Sequence, residues 1–543
     1  MASGPRLAAS ATSWRSTAGL TAGTPPSWPG GHPDARGRAR ERTRERTRSG
    51  AREDQPVGSS ANGLGGGGVS FWWHQLGGAP RQRPPLPRPP SSSSPALECD
   101  VAVVGAGYTG LWTAYYLKRA DPSLRVVVLE QAFAGYGASG RNGGWLTNEI
   151  TGGVEGYRAS HGPAAVDAFQ LAVDETVAEV VRVAEVEGID ADVHLGGEHT
   201  VARGPAQLAR LRELHAGMAS RAGTDVQWLD ADEAFERIGV AGTSAAVWHP
   251  HCARIHPAKL VRGLAEAVER LGVEVYEGTR VTEVSPGLAR TEVDGVAGDV
   301  RARVVVRATE GFTADVRGHR RDWLPMNSSM VATAPLPSAA WDAIGWDGRA
   351  TLGDAAHVYM YAQRTADDRI ALGGRGVPYA YGSRTARTTA DGETPARTVE
   401  GLRRVLETFF PVLRQLTPDG RAPLEHAWSG VLAVPRDWHA SVGIERAADG
   451  TALAWAGGYV GTGVTATNLA GRTLRDLVLG ERTALTELPW VGHRVRRWEP
   501  EPLRWLAVHG LYAAYRAADA AEARGRTRTS PLAVLAGKVA GHH

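Results

Sequence analysis

A strand–glycine–helix motif followed by an acidic residue carries the clearest chemical signal in this sequence. Residues 100–110 read DVAVVGAGYTG, in which a short apolar run precedes three glycines. In a dinucleotide-binding unit Gly105 makes the sharp turn, Gly107 lets a pyrophosphate approach the backbone, and Gly110 lets the helix pack closely on the strand. An ordinary glycine-rich turn between a strand and a helix is the alternative.

The residues after this turn favour an adenine dinucleotide. The helix predicted from about Tyr108 directs free N–H groups and the positive end of its dipole at the phosphates, with Thr109 in its first turn. Glu130 ends the second predicted strand and is followed by Gln131. A carboxylate there accepts both ribose hydroxyls and repels a 2′-phosphate. We expect both residues to contact the cofactor, although the motif alone does not separate NAD from FAD.

A second glycine cluster lies just past this acid. Residues 135–144 read GYGASGRNGG, and five glycines in ten residues suit a backbone that lies flat against a large planar ligand. Arg141 is suited to a pyrophosphate or a substrate carboxylate, and Asn142 to a hydrogen bond with a flavin edge. A flexible surface loop is the alternative. The predicted cofactor contacts are Ser139, Gly140, Arg141, Asn142, Gly143 and Gly144.

A third cluster repeats the strand–glycine–helix pattern without the downstream acid. Residues 457–464 read GGYVGTGV. A helix that begins here would direct N–H groups and positive dipole at an anion, which for a flavin is the N1–C2=O edge of the reduced ring. An N-cap formed by Thr462 is the simpler interpretation and is compatible with the first. The predicted contacts are Gly458, Gly461, Thr462, Gly463 and Val464.

Composition narrows the class of protein. The 543 residues are 42% hydrophobic and 22% charged, as in a soluble globular protein with more than one domain, and the net charge of +3 gives no reason to expect nucleic acid as a partner. Cys99 and Cys252 form neither a disulfide framework nor a metal site, so no metal is expected. No apolar stretch is long enough to span a bilayer and no secretory signal is evident, which favours the cytoplasm.

The three glycine clusters together resemble those of the D-amino-acid-oxidase-like (DAO) superfamily of FAD-dependent oxidoreductases. Within it the sequence is most similar to the gamma-glutamylputrescine oxidoreductase-like and glycine/sarcosine-oxidase-like group. Further matching segments are SFWWHQLG at 70–77, RIHP at 254–257, RIALGGR at 369–375 and PLRW at 502–505. The resemblance covers about residues 69–530.

This resemblance implies an α/β fold, in which a Rossmann-like FAD-binding domain is interleaved with an α+β substrate domain built on a mixed, largely antiparallel sheet. We assign residues 1–68 to a disordered low-complexity arm and 69–97 to an extended arm. The remaining assignments are 98–155, 251–318 and 425–480 to the FAD-binding domain, 156–250 and 319–424 to the substrate domain, and 481–543 to a C-terminal helical segment.

The resemblance also implies the reaction. The carbon next to an amine nitrogen gives a hydride to flavin N5, the imine is hydrolysed, and oxygen reoxidises the flavin with release of hydrogen peroxide. The partners are then a small amine or amino acid and oxygen or another electron acceptor, with no membrane. Non-covalent FAD is expected, because no cysteine follows Cys252 and the second glycine cluster has no histidine. In the family Val281, Thr309 and Gly311 approach the FAD.

Lysine is rare, with Lys118, Lys259 and Lys538 as the whole set. Sarcosine-oxidase-like relatives activate oxygen with a lysine near the flavin. Here another cation such as His256 or His439 would serve, or an acceptor other than oxygen reoxidises the flavin.

Three residues are candidates for catalysis, each with a structural alternative. Arg375 ends a predicted strand and is suited to bind a substrate carboxylate, although a surface ion pair is as reasonable. His256 is a catalytic candidate or the cap of a helix, and Tyr459 lines an amine pocket or packs in the core. Two other functions stay open, an NAD(P)H-dependent flavin monooxygenase and a non-catalytic subunit that holds FAD.

Overall fold

The computed structural model describes residues 69–80, 82–87, 97–221, 224–374, 376, 378–385 and 394–540. The predicted disordered arm at 1–68 and the candidate Arg375 lie outside these residues. Within them no helix is both long and apolar enough to cross a membrane.

Eighteen strands are present in the described residues. They are β1 Leu97–Val104, β2 Val126–Leu129, β3 Trp145–Thr147, β4 Glu198–Ala202, β5 Gln227–Leu229, β6 Ala245–His249, β7 Cys252–Arg254, β8 Glu274–Tyr276, β9 Arg280–Ser285, β10 Leu288–Val293, β11 Val296–Arg307, β12 Leu324–Thr333, β13 Thr351–Asp354, β14 Tyr361–Arg364, β15 Ile370–Gly374, β16 Leu424–Val434, β17 Ser441–Arg446 and β18 Ala452–Gly457.

Twelve α-helices accompany these strands in the described part of the chain. They are α1 Phe71–Gln75, α2 Tyr108–Ala120, α3 Glu155–His161, α4 Pro163–Val186, α5 Pro205–Ala219, α6 Ala231–Arg237, α7 Pro257–Arg270, α8 Ser338–Ile344, α9 Ala396–Phe409, α10 Gly463–Leu479, α11 Leu503–Ala523 and α12 Pro531–Ala540.

The first sheet has a parallel centre. Its order is β17-β18-β11-β1-β2-β8, in which all neighbours are parallel except the edge pair β17–β18, and the β9–β10 hairpin extends from β11. Val101 and Val103 of β1 are almost fully buried, as expected for a strand covered on both faces. The chain leaves β1 for β2 on one side and pairs with β11 on the other, which makes the carboxyl end of β1 the switch point where such sheets bind ligands.

The second sheet is mostly antiparallel. Its order is β16-β12-β15-β14-β13-β4-β6-β5, and β13–β4 is the parallel pair. Strands β3 and β7 form a separate antiparallel pair. The strands of the two large sheets alternate in blocks along the chain, which agrees with the predicted interleaving of an α/β unit with a largely antiparallel one.

Two segments differ from the sequence assignment. Strand β16 pairs with β12 over most of its length, so this stretch belongs to the second sheet although the boundary at 425 placed it in the FAD-binding domain. Helix α1 lies in the segment expected to be extended, because Ser70 caps it and its aromatic residues Phe71, Trp72 and Trp73 are buried. Burial of these rings stabilises a helix too short to form alone.

The arm that precedes β1 is held on the first sheet by a buried ion pair. Arg83 Nη1 lies 2.9 Å from Glu277 Oε1, and the Arg83 backbone N–H donates to Oε2 at 2.7 Å. The Glu277 side chain is fully buried, whereas that of Arg83 is 17% exposed. A third donor, the Ala134 N–H, completes the site at 2.8 Å.

We predict that Arg83→Ala lowers the free energy of unfolding by about 3 kcal/mol, because it leaves a buried carboxylate without its counter-charge. Urea denaturation of the purified variant measures this loss. Arg303→Ala is the matched control, since the Arg303 side chain is 76% exposed and pairs with Asp100 at the surface. Equal stability of the two variants would contradict a structural role for the arm.

Candidate functional site

A cavity of about 420 Å³ lies at the switch point of the first sheet and extends to the second sheet. Val104, Leu129 and Ala308, at or just past the carboxyl ends of β1, β2 and β11, line one part of it. Ser328 of β12 and Tyr361 of β14 line another. The cavity volume is typical of a site for a small molecule or cofactor.

The first glycine cluster has the geometry predicted for it. Gly105 has φ +105°, and a Cβ there would lie 2.6 Å from the Ala308 carbonyl oxygen. A Cβ on Gly110 would lie 2.0 Å from the Gly105 oxygen. Only glycine at this position therefore lets helix α2 pack so closely on β1. Gly107 lines the cavity directly and is the N-cap of α2.

Glu130 also lines the cavity, and its carboxylate is anchored by the backbone. Oε2 accepts from the Ala106 N–H and Oε1 from the Ala132 N–H, both at 2.9 Å. An ionised carboxylate has about four acceptor positions, so two remain for hydroxyl groups of a ligand. Burial raises the pKa of Glu130, and the two N–H groups oppose that shift.

The second glycine cluster is tied to α2 and to β16. Ser139 Oγ accepts from the Tyr108 N–H at 2.9 Å, which places the cluster against the N-terminus of α2. Arg141 donates from Nε to the Tyr136 oxygen at 2.8 Å and from Nη1 to the Ser429 oxygen at 3.0 Å, and its Nη2 is buried with no partner. The side chain of Asn142 folds back on its own loop, donating to the Ser139 oxygen at 2.9 Å.

The third cluster leads into helix α10. Thr462 precedes that helix but forms no side-chain cap, because its Oγ1 bonds Thr151 Oγ1 at 2.7 Å instead. The uncapped N-terminus is therefore available to a ligand in the cavity, which Gly461, Gly463 and Val464 also line.

Glu310 is a site residue that the sequence interpretation did not select. Its Oε2 accepts from the Gly458 N–H at 2.8 Å, and its Oε1 from the Ala433 N–H at 3.2 Å and the Tyr459 N–H at 3.4 Å. Burial raises its pKa to about 7. The sequence signal that could have identified it is an acid two residues after a predicted buried strand. In the structure Glu310 has φ +42°.

The structure brings most of the predicted cofactor residues together around the cavity. Those that line it are Gly105, Gly107, Tyr108, Thr109, Glu130, Gln131, Ser139, Arg141, Asn142, Gly143, Val281, Thr309, Gly311, Gly461, Thr462, Gly463 and Val464. Tyr459, a catalytic candidate, lines it as well. Tyr459 is 2% exposed, and its Oη lies 3.1 Å from Thr109 Oγ1, so the phenol joins the two helix N-termini that face the cavity.

Four predicted glycines lie behind the cavity wall. Gly110 packs on Gly105 as described, and a Cβ on Gly140 would lie 2.3 Å from Trp73 Nε1 of α1. A Cβ on Gly144 would lie 2.1 Å from Gln363 Nε2, and one on Gly458 2.5 Å from Pro435 Cγ. These glycines permit close packing of neighbouring elements rather than contact with a ligand.

The catalytic candidate His256 lies at a second, smaller cavity instead. It caps helix α7, where its Nδ1 accepts from the Lys259 N–H at 3.2 Å, and its ring packs edge-on against Trp72. Burial lowers its pKa to about 4, so it is neutral and cannot supply a cation to the first cavity. Two further arginines of a type that could bind a substrate carboxylate also lie outside the first cavity. Arg254 lines the second cavity, and Arg436, which lines neither, pairs with Glu499.

Two aromatic residues and an acid that line the first cavity were also missed. They are Trp145, Tyr361 and Glu149, and Glu198 is buried nearby, where its Oε2 accepts from Thr147 Oγ1 at 3.0 Å. These residues are far apart in the chain and give no local pattern, because their proximity depends on how β3 and β4 are placed. The local signal in the sequence was the alternate spacing of Trp145, Thr147 and Glu149, which places the three side chains on one side of an extended segment.

These features fit FAD. The glycine turn provides a pyrophosphate cradle that a Cβ would fill, the acid at the end of β2 suits a ribose, and the cavity continues to a second sheet that can enclose a substrate. The family model described as FAD dependent oxidoreductase, DAO, matches residues 100–477. The chain belongs to the DAO family of FAD-dependent oxidoreductases. The family and the cofactor expected from the sequence are thereby confirmed.

Comparisons with individual proteins agree. Gamma-glutamylputrescine oxidoreductase of Escherichia coli (strain K12) is 29% identical over 394 residues, which cover 71% of this chain and 85% of that protein. Glycine oxidase of Geobacillus kaustophilus (strain HTA426) is 25% identical over 405 residues, 72% of this chain and 96% of that protein.

Solved structures show the same fold. The crystal structure of glycine oxidase from Geobacillus kaustophilus has a TM-score of 0.59 at 22% identity. The match covers 73% of this chain and 99% of that one. L-proline dehydrogenase from P. horikoshii has a TM-score of 0.56 at 17% identity, covering 72% of this chain and 96% of its own. The predicted fold class, an FAD-binding α/β unit interleaved with a largely antiparallel sheet, is confirmed.

We predict that Gly107→Val abolishes FAD binding, because the added side chain occupies the space of the pyrophosphate and a Cβ there already lies 3.0 Å from Ser139 Oγ. The flavin content of the purified variant, before and after incubation with excess FAD, measures this. Gly217→Val is the control, since a Cβ at this exposed position on α5 meets nothing within 4 Å. Normal flavin content in the Gly107 variant would rule out the pyrophosphate assignment.

Proposed function

We propose that this flavoprotein oxidises the C–N bond of a small amine, with FAD held non-covalently and oxygen as the electron acceptor. When bound, FAD supplies a two-electron acceptor, so that the amine loses a hydride to flavin N5 and becomes an imine, which water hydrolyses, and oxygen is reduced to hydrogen peroxide. The observation that carries the proposal is the continuity of the cavity, which runs from Glu130 of the first sheet to Tyr361 of the second. The names of the related proteins support an amine or amino acid as substrate.

The roles that follow from this geometry are assigned from one end of the cavity to the other. Glu130 and Gln131 would hold the ribose of the cofactor, and Val281 would contact its adenine. The N-terminus of α2, which begins at Tyr108, together with Arg141 balances the charge of the pyrophosphate. With FAD bound, the uncapped N-terminus of α10 at Gly463 would stabilise negative charge on the ring system of the cofactor.

Non-covalent attachment is supported by the residues around the cavity. No cysteine or histidine is among the described residues that line it. Cys252 is fully buried elsewhere, 3.3 Å from Thr351 Oγ1, and burial raises the pKa of its thiol well above the usual value. A buried neutral thiol is unreactive.

Activation of oxygen by lysine has no support in the described residues. Lys118 Nζ donates to the Pro122 and Leu124 carbonyls, and Lys259 Nζ pairs with Asp192 at 2.5 Å. Neither lysine lines the cavity. Arg141 and Arg280 are the cationic side chains among the described residues that line the cavity, so the proposed reaction with oxygen takes place without a lysine.

We expect the oxidised-flavin absorption of the purified holoenzyme to bleach without oxygen when the right amine is added, and to return with formation of hydrogen peroxide when air is admitted. A panel of diamines, secondary amino acids and D-amino acids identifies the substrate group. After acid precipitation all of the flavin should appear in the supernatant. Bleaching by NAD(P)H alone would favour a monooxygenase, and recovery of colour with a dye but not with air would indicate a dehydrogenase.

A further inference from the structure

The second cavity, of about 320 Å³, lies behind the wall that the second glycine cluster contributes to the first cavity. Trp72 and Gln363 line the second cavity. They donate hydrogen bonds to the backbone oxygens of Asn142, at 2.8 Å, and Gly143, at 2.7 Å, and these two residues line the first cavity. The two cavities share no lining residue in the described part of the chain. They are therefore adjacent but separate, and the proposed oxidation gives the second one no role.

A buried arginine without a partner lines this second cavity. Arg254 is the last residue of β7 and is 7% exposed. Its Nε is buried without a hydrogen-bond partner, and its side chain forms no ion pair with the described residues. Burial lowers its pKa, as do Arg349 and Arg364, whereas the more distant Asp192 and Asp367 oppose that shift. Burial of an unpaired guanidinium costs free energy that a bound anion would recover.

The two acids among the described lining residues are already paired with other cations. Asp192 Oδ1 lies 2.5 Å from Lys259 Nζ. Asp367 Oδ2 lies 2.7 Å from Arg369 Nε. Each of these charges is therefore compensated, and Arg254 remains as the uncompensated charge of the described lining. The electrostatics of the second cavity thus favour an anion over a cation or a neutral ligand.

His256, two residues further along the chain, supplies a second donor without a partner. Its Nδ1 accepts from the Lys259 N–H at 3.2 Å, and burial lowers its pKa to about 4, so the ring is neutral. In a neutral ring whose Nδ1 is an acceptor, the proton is on Nε2. This Nε2 is buried and has no hydrogen-bond partner among the described residues, in a residue that is 4% exposed and lines the cavity. The positive end of the α7 dipole lies at the same place.

This set of donors suits a carboxylate better than a phosphate. A planar guanidinium presents a fork of N–H groups that matches the two oxygens of a carboxylate, and the His256 N–H adds one more hydrogen bond. A phosphate dianion would need donors for a third oxygen, and its double charge would share the cavity with the Asp192 carboxylate. Trp72, Leu76 and Ile255 also line the cavity and provide apolar surface for the rest of the ligand.

We propose that the second cavity binds a small organic carboxylate with an apolar body, which Arg254 and His256 hold by hydrogen bonds. The carboxylate oxygens accept from the guanidinium and from the His256 N–H, and the apolar body packs beside Trp72. This site goes beyond the proposed function, because it is present whether or not an amine is oxidised in the first cavity.

Calorimetry of the FAD-loaded enzyme with butyrate, butyramide and inorganic phosphate at neutral pH tests the proposal. The wild type should bind a single butyrate per chain. Butyramide, which has the shape of butyrate without its charge, and phosphate should both bind more weakly. Arg254→Gln should weaken butyrate binding about 10- to 100-fold, the range for loss of charged hydrogen bonds. Arg254→Lys keeps the charge but not the fork of donors, so its affinity should lie between those of the wild type and Arg254→Gln.

His256→Asn is a second variant that preserves the start of α7. Asparagine is a good N-cap residue, so its side-chain oxygen replaces Nδ1 as the acceptor for the Lys259 N–H, while the Nε2 donor is lost. Butyrate binding should weaken about 2- to 10-fold, the range for loss of a hydrogen bond between the anion and a neutral donor. Flavin content and circular dichroism show that each variant is folded, and this variant and Arg254→Lys carry the test if Arg254→Gln does not fold.

Arg182→Gln is the matched control, because this arginine lines neither cavity and its side chain is 57% exposed on α4. It should bind butyrate as the wild type does. No heat of binding by the wild type at about 10 mM butyrate, which would fill a site with a Kd near 1 mM, would overturn the proposal. Equal affinity in the wild type and the Arg254 variants would do so too, since butyrate would then lie elsewhere. Tighter binding of phosphate than of butyrate would reject a carboxylate as the ligand.

Discussion

The Glu310 carboxylate joins the two sheets at the point where the cofactor cavity passes from one to the other. It accepts hydrogen bonds from Ala433 of the second sheet and from Gly458 and Tyr459 of the loop that leads into α10. One buried acid thus connects the second sheet to the loop before α10, the helix whose N-terminus lines the cavity. An unpaired buried carboxylate is costly, so the three donors must stay in place for the charge to be tolerated.

The parts of the site that could be predicted are those whose chemistry is local in the sequence. The turn at Gly105 and Gly107 and the acid Glu130 lie within one βαβ unit, and each has a role that its neighbours along the chain determine. The same holds for the uncapped start of α10, where a glycine-rich turn follows a buried strand.

The parts that could not be predicted depend on elements far apart in the chain. Gly140 and Gly144 were assigned to the cofactor because glycine clusters suggest a flat ligand, but their missing side chains admit Trp73 and Gln363 instead. Trp145 and Tyr361 line the same cavity because β3 contacts the second sheet, where Trp145 Nε1 donates to the Ala362 oxygen at 3.3 Å. His256 could be interpreted from the sequence either as a helix cap or as a catalytic residue. The structure shows that it caps α7 and that burial lowers its pKa.

The interleaving of the two sheets affects the order in which parts of the protein fold. Strand β18, which ends at Gly457, pairs with β11 in the centre of the first sheet, and β16 pairs with β12 of the second. The second sheet is complete only after β16 has left the ribosome, and the first only after β18. The last glycine cluster begins where β18 ends. Such non-local pairing slows folding and exposes unpaired strand edges for longer. The flavin site is therefore among the last features to form, so the cofactor meets an almost finished protein rather than guiding its early folding.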